Sequence, residues 1–204
     1  CDTEGAYTLQ LTVTDEAGNS NSDSLSFTWD TTAPTVDAGA DASHNAQFTQ
    51  NGSVGDATTI TWSQQSGPGT VSFGTANAAS TTVQMDTDGV YVLLLSVSDA
   101  LGNSNSATVT ITWDTTAPTV SAGADGAYNA QFTQNGSAGD ATTISWTKIS
   151  GPGNVAFGSP SAASTTVSMD TEGSYVIQIS GSDAAGNSRS EEHTSELQSP
   201  DHLV

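Results

Sequence analysis

The chain repeats itself at a fixed stride of 84 residues, and that stride decides what it can fold into. Thr-Thr-Ala-Pro-Thr-Val occupies 31–36 and returns at 115–120. Trp29-Asp30 returns as Trp113-Asp114, and Asp2, Asp86 and Asp170 each open an Asp-Thr-acidic-Gly-x-Tyr stretch. A period this long exceeds the roughly 20–45 residues of a stacked solenoid repeat and suits a small domain. On this stride, 1–30 read as the C-terminal hairpin of a truncated module and 31–114 as a complete module. Residues 115–188 then read as a module lacking its last strand.

Within one copy the patterning is that of strands. Tyr91, Leu93, Leu95 and Val97 share one strand face at period two, as do Val109, Ile111 and Trp113 with threonines between them. Asp99-Ala-Leu-Gly102-Asn103 joins the two runs as a hairpin turn. Shorter strands are expected over 35–39, 47–51, 59–65, 71–73 and 81–85. Seven short strands with turn residues between them, and no helical periodicity, predict an all-β chain of tandem immunoglobulin-like β-sandwich modules. Trp62 and Trp146 fall mid-strand, where such sandwiches bury a tryptophan. Tyr7, Tyr91 and Tyr175 follow the acidic turn in the manner of a tyrosine corner.

The repeat stops at Arg189. From there the chain reads Arg-Ser-Glu-Glu-His-Thr-Ser-Glu-Leu-Gln-Ser, which resembles a common sequencing-library adapter translated in frame. Residues 189–204 are therefore read as an artefactual tail, the alternative being a natural polar tail. Without it, copy three offers no seventh strand, and the edge of its sixth strand, 175–182, is expected to be unpaired or poorly covered. The lone cysteine, Cys1, has two readings: a lipid-anchor position, or the apolar position that Met85 and Met169 fill in later copies.

Charge narrows the function. The chain carries 22 acidic residues against 2 Lys plus Arg, a net charge of -20. Such a field repels phosphate backbones, which argues against a nucleic-acid partner. Before residue 189 the only base is Lys148 and the only histidine His44, whose counterpart in copy three is Tyr128. A serine hydrolase centre would depend on a histidine that its own repeat does not keep, so the chain reads as non-enzymatic. No apolar run is long enough to span a bilayer.

Trp62-Ser-Gln-Gln-Ser-Gly-Pro-Gly69, Ala79-Ser-Thr-Thr-Val83 and Gly89-Val-Tyr91 resemble the PKD-like modules of bacterial surface proteins. The PKD hallmark Trp-Asp-Phe-Gly-Asp-Gly is replaced by Gly-Pro-Gly, as in the subtype related to REJ modules. Asp-x-x-Gly-Asn and Trp-Asp-Thr-Thr-Ala-Pro resemble the joints of bacterial immunoglobulin-like adhesin arrays. The resemblance implies an extracellular protein, cell-surface or secreted, in which the array is a stalk or spacer related to adhesion. Its partners would be neighbouring modules of the same chain and a surface protein or glycan. The alternative is a carbohydrate-binding accessory module of a secreted hydrolase, which requires exposed aromatic side chains.

One constellation of ligands stands out. In this architecture the last strand exits toward the strand two–three and six–seven loops of the next module. Asp30 is then expected near Asp56, Asp99 and Asn103, and Asp114 near Asp140, Asp183 and Asn187. Carboxylate and amide oxygens in such groups suit calcium, which accepts irregular oxygen coordination. The same residues read equally as hairpin-turn and linker chemistry, with Pro34 and Pro118 stiffening the linker. Asn51 and Asn135 open Asn-Gly-Ser triplets, which match a glycosylation acceptor and also a tight turn.

Overall fold

The computed structural model describes residues 3–197. Cys1, and with it both readings of that residue, lies outside the described residues, as do 198–204. The chain opens with a hairpin of β1 (Gly5–Thr14) and β2 (Ser20–Trp29), paired from Gly5↔Trp29 to Thr14↔Ser20. Then follow β3 (Val36–Asp37), β4 (Ala42–His44), β5 (Phe48–Asn51), β6 (Ser53–Val54), β7 (Thr59–Ser66), β8 (Val71–Phe73), β9 (Ser80–Met85), β10 (Gly89–Ser98) and β11 (Ser104–Trp113). They form a four-stranded sheet ordered β4-β11-β10-β7, facing a three-stranded sheet β5-β9-β8, with β3 and β6 as a short pair.

The third copy repeats this plan with β12 (Gly126–Tyr128), β13 (Phe132–Asn135), β14 (Thr143–Ser150), β15 (Val155–Phe157), β16 (Ser164–Met169), β17 (Gly173–Ser182) and β18 (Ser188–Leu197). Its sheets are β12-β18-β17-β14 and β13-β16-β15. The chain is all-β, built of tandem immunoglobulin-like sandwiches.

The alternation legible in the sequence is the core of the second copy. Tyr91, Leu93, Leu95 and Val97 point inward from β10, and Val109, Ile111 and Trp113 from β11, all buried together with Trp62, Val83 and Met85. Burying a large aliphatic side chain is worth about 1.5–3 kcal/mol, so this cluster carries the module. The ring of Tyr91 is fully buried and its hydroxyl donates to the Thr87 carbonyl at 2.7 Å. Tyr175 does the same to Thr171 at 2.6 Å. Both are tyrosine corners. The Gly-Pro-Gly loop exists to meet that ring. At Gly67, with φ of 147°, a Cβ would lie 2.2 Å from Tyr91 Cδ1, and at Gly151 one would lie 2.3 Å from Tyr175 Cδ1.

Three expectations need correction. The first strand, expected over 35–39, is broken at Gly39, whose φ is 87°. Within it only β3 forms, paired with β6, and a further strand beyond the expected range, β4, lies parallel to β11. The Asn51-Gly52 pair is not a hairpin turn but a crossing from β5 to β6, fixed by Gly52 N–H on the Ala79 carbonyl at 3.2 Å.

The third correction concerns β17, whose edge is paired. β18 lies along it in ten consecutive antiparallel positions, Gly173↔Leu197 to Ser182↔Ser188. Ladder hydrogen bonds are made by backbone, so any extended segment without proline fills such an edge. The side chains fit less well. His193 and Ser195 are buried where copy two has Val109 and Ile111; His193 Nδ1 lies 3.0 Å from Asp125 Oδ1, while His193 Nε2 and Ser195 Oγ have no hydrogen-bond partner.

Candidate functional site at the module joints

The residues that join one copy to the next form a repeated hydrogen-bonded clamp. The turn between β10 and β11 is held by Asp99, whose Oδ1 accepts the N–H of Leu101 at 2.8 Å and of Asn103 at 3.0 Å. Its Oδ2 accepts Asn103 Nδ2 at 2.8 Å. The same amide nitrogen also donates across the joint, to the Asp30 carbonyl at 3.1 Å. The second joint is built alike. Asn187 Nδ2 donates to Asp183 Oδ2 at 2.9 Å and to the Asp114 carbonyl at 2.8 Å. The Asn187 oxygen faces the other way and accepts Asn45 Nδ2 of the preceding module at 3.0 Å.

The linker itself is gripped from behind. Asp88 Oδ1 accepts the Thr115 N–H at 3.0 Å and the Thr115 hydroxyl at 2.9 Å, and its Oδ2 accepts the Thr116 hydroxyl at 2.9 Å. Glu4 makes the corresponding set to Thr31 and Thr32. Asp30 and Asp114 each accept the N–H two residues on, from Thr32 at 2.9 Å and Thr116 at 3.0 Å. Pro34 is fully buried and its carbonyl accepts Asn105 Nδ2 at 3.0 Å. A linker whose donors and acceptors are taken in this way is an ordered part of both modules, unlike a free tether.

The carboxylates are tuned by these bonds. The hydroxyls of Thr116 and then Thr115, with the Thr115 N–H, hold Asp88 below its ordinary range. Thr31 and Thr32 do so for Glu4. The Asn103 side chain lowers Asp99. For Asp183 burial pushes upward, yet the bonds from Asn187, Ala185 and Gly186 together bring it down. Each donor stabilises the charged form.

Of the eight residues expected to meet, Asp30, Asp99 and Asn103 come together at the first joint and Asp114, Asp183 and Asn187 at the second. Asp30 and Asp114 do so through backbone carbonyls. Asp56 and Asp140 are exposed and make no hydrogen bond to either clamp among the described residues. The described residues hold no group of three or more His, Cys, Asp or Glu placed to bind a metal ion. The carboxylates of Asp30, Asp99, Asp114 and Asp183 already accept N–H groups of their own turns.

Three of the four tryptophans are spent on structure. Trp62 and Trp146 are 3% exposed and Trp113 5%, so none of the three offers a flat surface for a sugar. Trp62 Nε1 donates to the carbonyls of Ala78 and Ala79, and Trp146 Nε1 to that of Ala162. His44 stacks on Phe48, with ring centroids 3.7 Å apart. Lys148 donates to the Gly151 carbonyl at 2.8 Å and lies 5.5 Å over the Tyr175 ring.

A family model described as K319L-like, PKD domain, matches residues 35–112 and again 119–194. The chain belongs to the K319L-like PKD domain family. Residues 2–31 match a bacterial Ig-like domain model, so the PKD modules follow a segment of related type. Among solved structures, the PKD domain from KIAA 1837 protein is 27% identical, over 39% of this chain and 84% of that one, with a TM-score of 0.35. The fibronectin(III)-like modules of Clostridium thermocellum CbhA are 12% identical, over 84% of this chain and 97% of theirs, at a TM-score of 0.41. The tandem Ig repeats of Dlar are 14% identical, over 82% and 98% respectively, at 0.30. A search of curated proteins found no match. Tandem PKD and Ig-like domains are typically extracellular and non-catalytic structural modules. No helix of the described residues is long and apolar enough to cross a membrane.

Two parts of the joint were not anticipated from sequence: the grip of Glu4 and Asp88 on the Thr-Thr pair, and Asn45. The first had a signal, because positions 4, 88 and 172 are acidic in every copy. The second had none, since Asn45 lies 142 residues from its partner Asn187.

Proposed function

We propose that this chain is a stiff spacer segment of a bacterial cell-surface or secreted protein, holding another domain at a distance from its anchor. The reading rests on one observation: the clamp through Asn103 recurs at Asn187 with the same partners. A spacer needs each joint to hold its angle, and a repeated clamp gives every joint the same one. The acidic surface favours the same role, because modules of like charge repel along the array and resist collapse. Amide–carbonyl and carboxylate–threonine bonds within the protein support this rigidity.

Small-angle scattering of the full chain tests this. A maximum dimension that stays constant from low to high salt is expected, with Asn187→Ala shortening and broadening the distance distribution. A wild-type profile that already requires an ensemble of bent forms overturns the reading.

A further inference from the structure

In the complete second module, β11 runs from Ser104 to Trp113, but β4 lies along its outer edge only at Ile111–Trp113. The rest of that edge has no strand beside it. No residue of β11 is charged, so charge on the strand itself does nothing to keep a second strand away. An open, uncharged edge of this length is a template for pairing with another chain.

The N–H groups that point out along such an edge belong to alternate residues. Asp114 N–H, on the His44 carbonyl at 3.0 Å, sets the phase, and Thr110, Thr108 and Ser106 share it. Thr110 N–H is taken by Asp41 Oδ1 at 2.7 Å. The backbone turns at Gly39, with φ of 87°, just ahead of β4, and the carboxylate supplies the next acceptor along the edge in place of a strand. Ser106 N–H is taken by Asn105 Oδ1 at 2.8 Å. That amide is held in position by its own nitrogen, which donates to the Pro34 carbonyl at 3.0 Å. Between the two, Thr108 N–H meets no acceptor among the described residues. Both features recur at the 84-residue stride. Asp125 stands where Asp41 does, and Asn21, in the place of Asn105, accepts the Ser22 N–H at 2.9 Å.

We propose that Asp41 and Asn105 are guards that close the β11 edge against the β11 edge of a second copy. Antiparallel pairing centred on Thr108 would set Thr110 of each chain against Ser106 of the other. Both N–H groups would then have to leave their guards for the partner's carbonyls. The Asp41 carboxylate would lose its donor and be pressed against backbone oxygens, which is costly for a charge. The guards therefore leave one free donor, too little to start a ladder. In a protein standing among copies of itself, the device keeps neighbouring arrays from joining sideways into sheets.

Oxidative cross-linking of the full chain tests this, with Cys1→Ser in every sample and Thr108→Cys as reporter, because residue 108 faces itself across the proposed pair. Asp41→Ala with Asn105→Ala is expected to raise the yield of interchain disulfide at 108 roughly tenfold over the guarded chain. Asp41→Asn alone keeps an oxygen acceptor for Thr110 and is expected to cross-link no more than the guarded chain. Asp41 and Asn105 are both exposed, so the variants keep their fold. Equal yields with and without the guards overturn the proposal. So does opening of the edge by Asp41→Asn, which would assign the effect to charge. Amide exchange in the wild-type chain gives a second reading: corrected for intrinsic rates, Thr110 and Ser106 should exchange roughly tenfold more slowly than Thr108. Equal rates at the three would show that the guards hold nothing.

Discussion

Replacing His193 with valine and Ser195 with isoleucine restores to the third module the inward pair that the second carries as Val109 and Ile111. The magnitude follows from what is buried. His193 is 2% exposed and Ser195 not at all. His193 Nδ1 lies 3.0 Å from Asp125 Oδ1, so that atom is partly compensated, while Nε2 and Ser195 Oγ are not. Each uncompensated buried polar atom costs about 1–3 kcal/mol, and the isoleucine adds roughly 1.5–3 kcal/mol of apolar burial. A gain of about 3 kcal/mol or more is expected. For a domain of this size each kcal/mol moves Tm by roughly 4–8 °C, so the third module's transition should rise by about 12 °C or more. Calorimetry of the full chain separates it from the 31–114 transition, which should not move.

The wild-type transition should also respond to mild acid. Burial lowers the pKa of His193, while Asp125 and Glu191 oppose without reversing the shift. A histidine with a depressed folded pKa contributes its stability above the unfolded value of about 6.5 and loses it as pH falls below that. The transition should therefore fall between pH 7.5 and 5.5 in the wild type and stay level in the double variant. An unchanged or lower Tm in the double variant refutes the argument.

Other outcomes follow from the joints and corners. Asp88→Asn removes the charged acceptor of Thr115 and Thr116, and amide exchange at Thr115 should quicken roughly tenfold. Because the Asp88 and Asp99 carboxyls lie below their ordinary values, their contribution to the joint is complete above about pH 4 and fades as pH falls through the lowered pKa. Acid titration followed by exchange at Thr115 reads this. Tyr91→Phe deletes the bond to Thr87 and should cost about 1 kcal/mol. Gly67→Ala drives a methyl into the Tyr91 ring and should cost more, roughly 1–3 kcal/mol, measured by denaturant midpoint. Calorimetric titration with calcium at millimolar concentration should leave the joint unaltered, and heat of binding that tightens it would make the metal part of the clamp.

Much of the sandwich could be read in advance because burial and period coincide in β10 and β11, where every second residue from Tyr91 to Val97 is core. The tyrosine corner was legible for the same reason: its hydroxyl and acceptor are four residues apart. β4 and β6 were not, since Ala42–His44 and Ser53–Val54 are too short and mixed to show a period. β18 was not expected because residues 189–204 resemble a translated adapter and break the repeat. Its inward positions are histidine and serine, while the ladder that holds it is made by backbone. Asp99–Asn103 and Asp183–Asn187 lie at the joints, where their turn amides and the Asp30 and Asp114 carbonyls are partners that composition does not mark. Composition marks carboxylates without telling whether turn amides already occupy them.

The central claim is that adjacent modules are fixed to each other by the Asn187 amide and the Asp88 grip on the linker. Residual dipolar couplings of the full chain, fitted separately for 31–114 and 119–188, measure it most directly. Two alignment tensors of equal magnitude and common orientation are predicted, diverging in Asn187→Ala. Tensors that differ in magnitude in the wild type would mean the modules reorient freely, and the spacer account would fail.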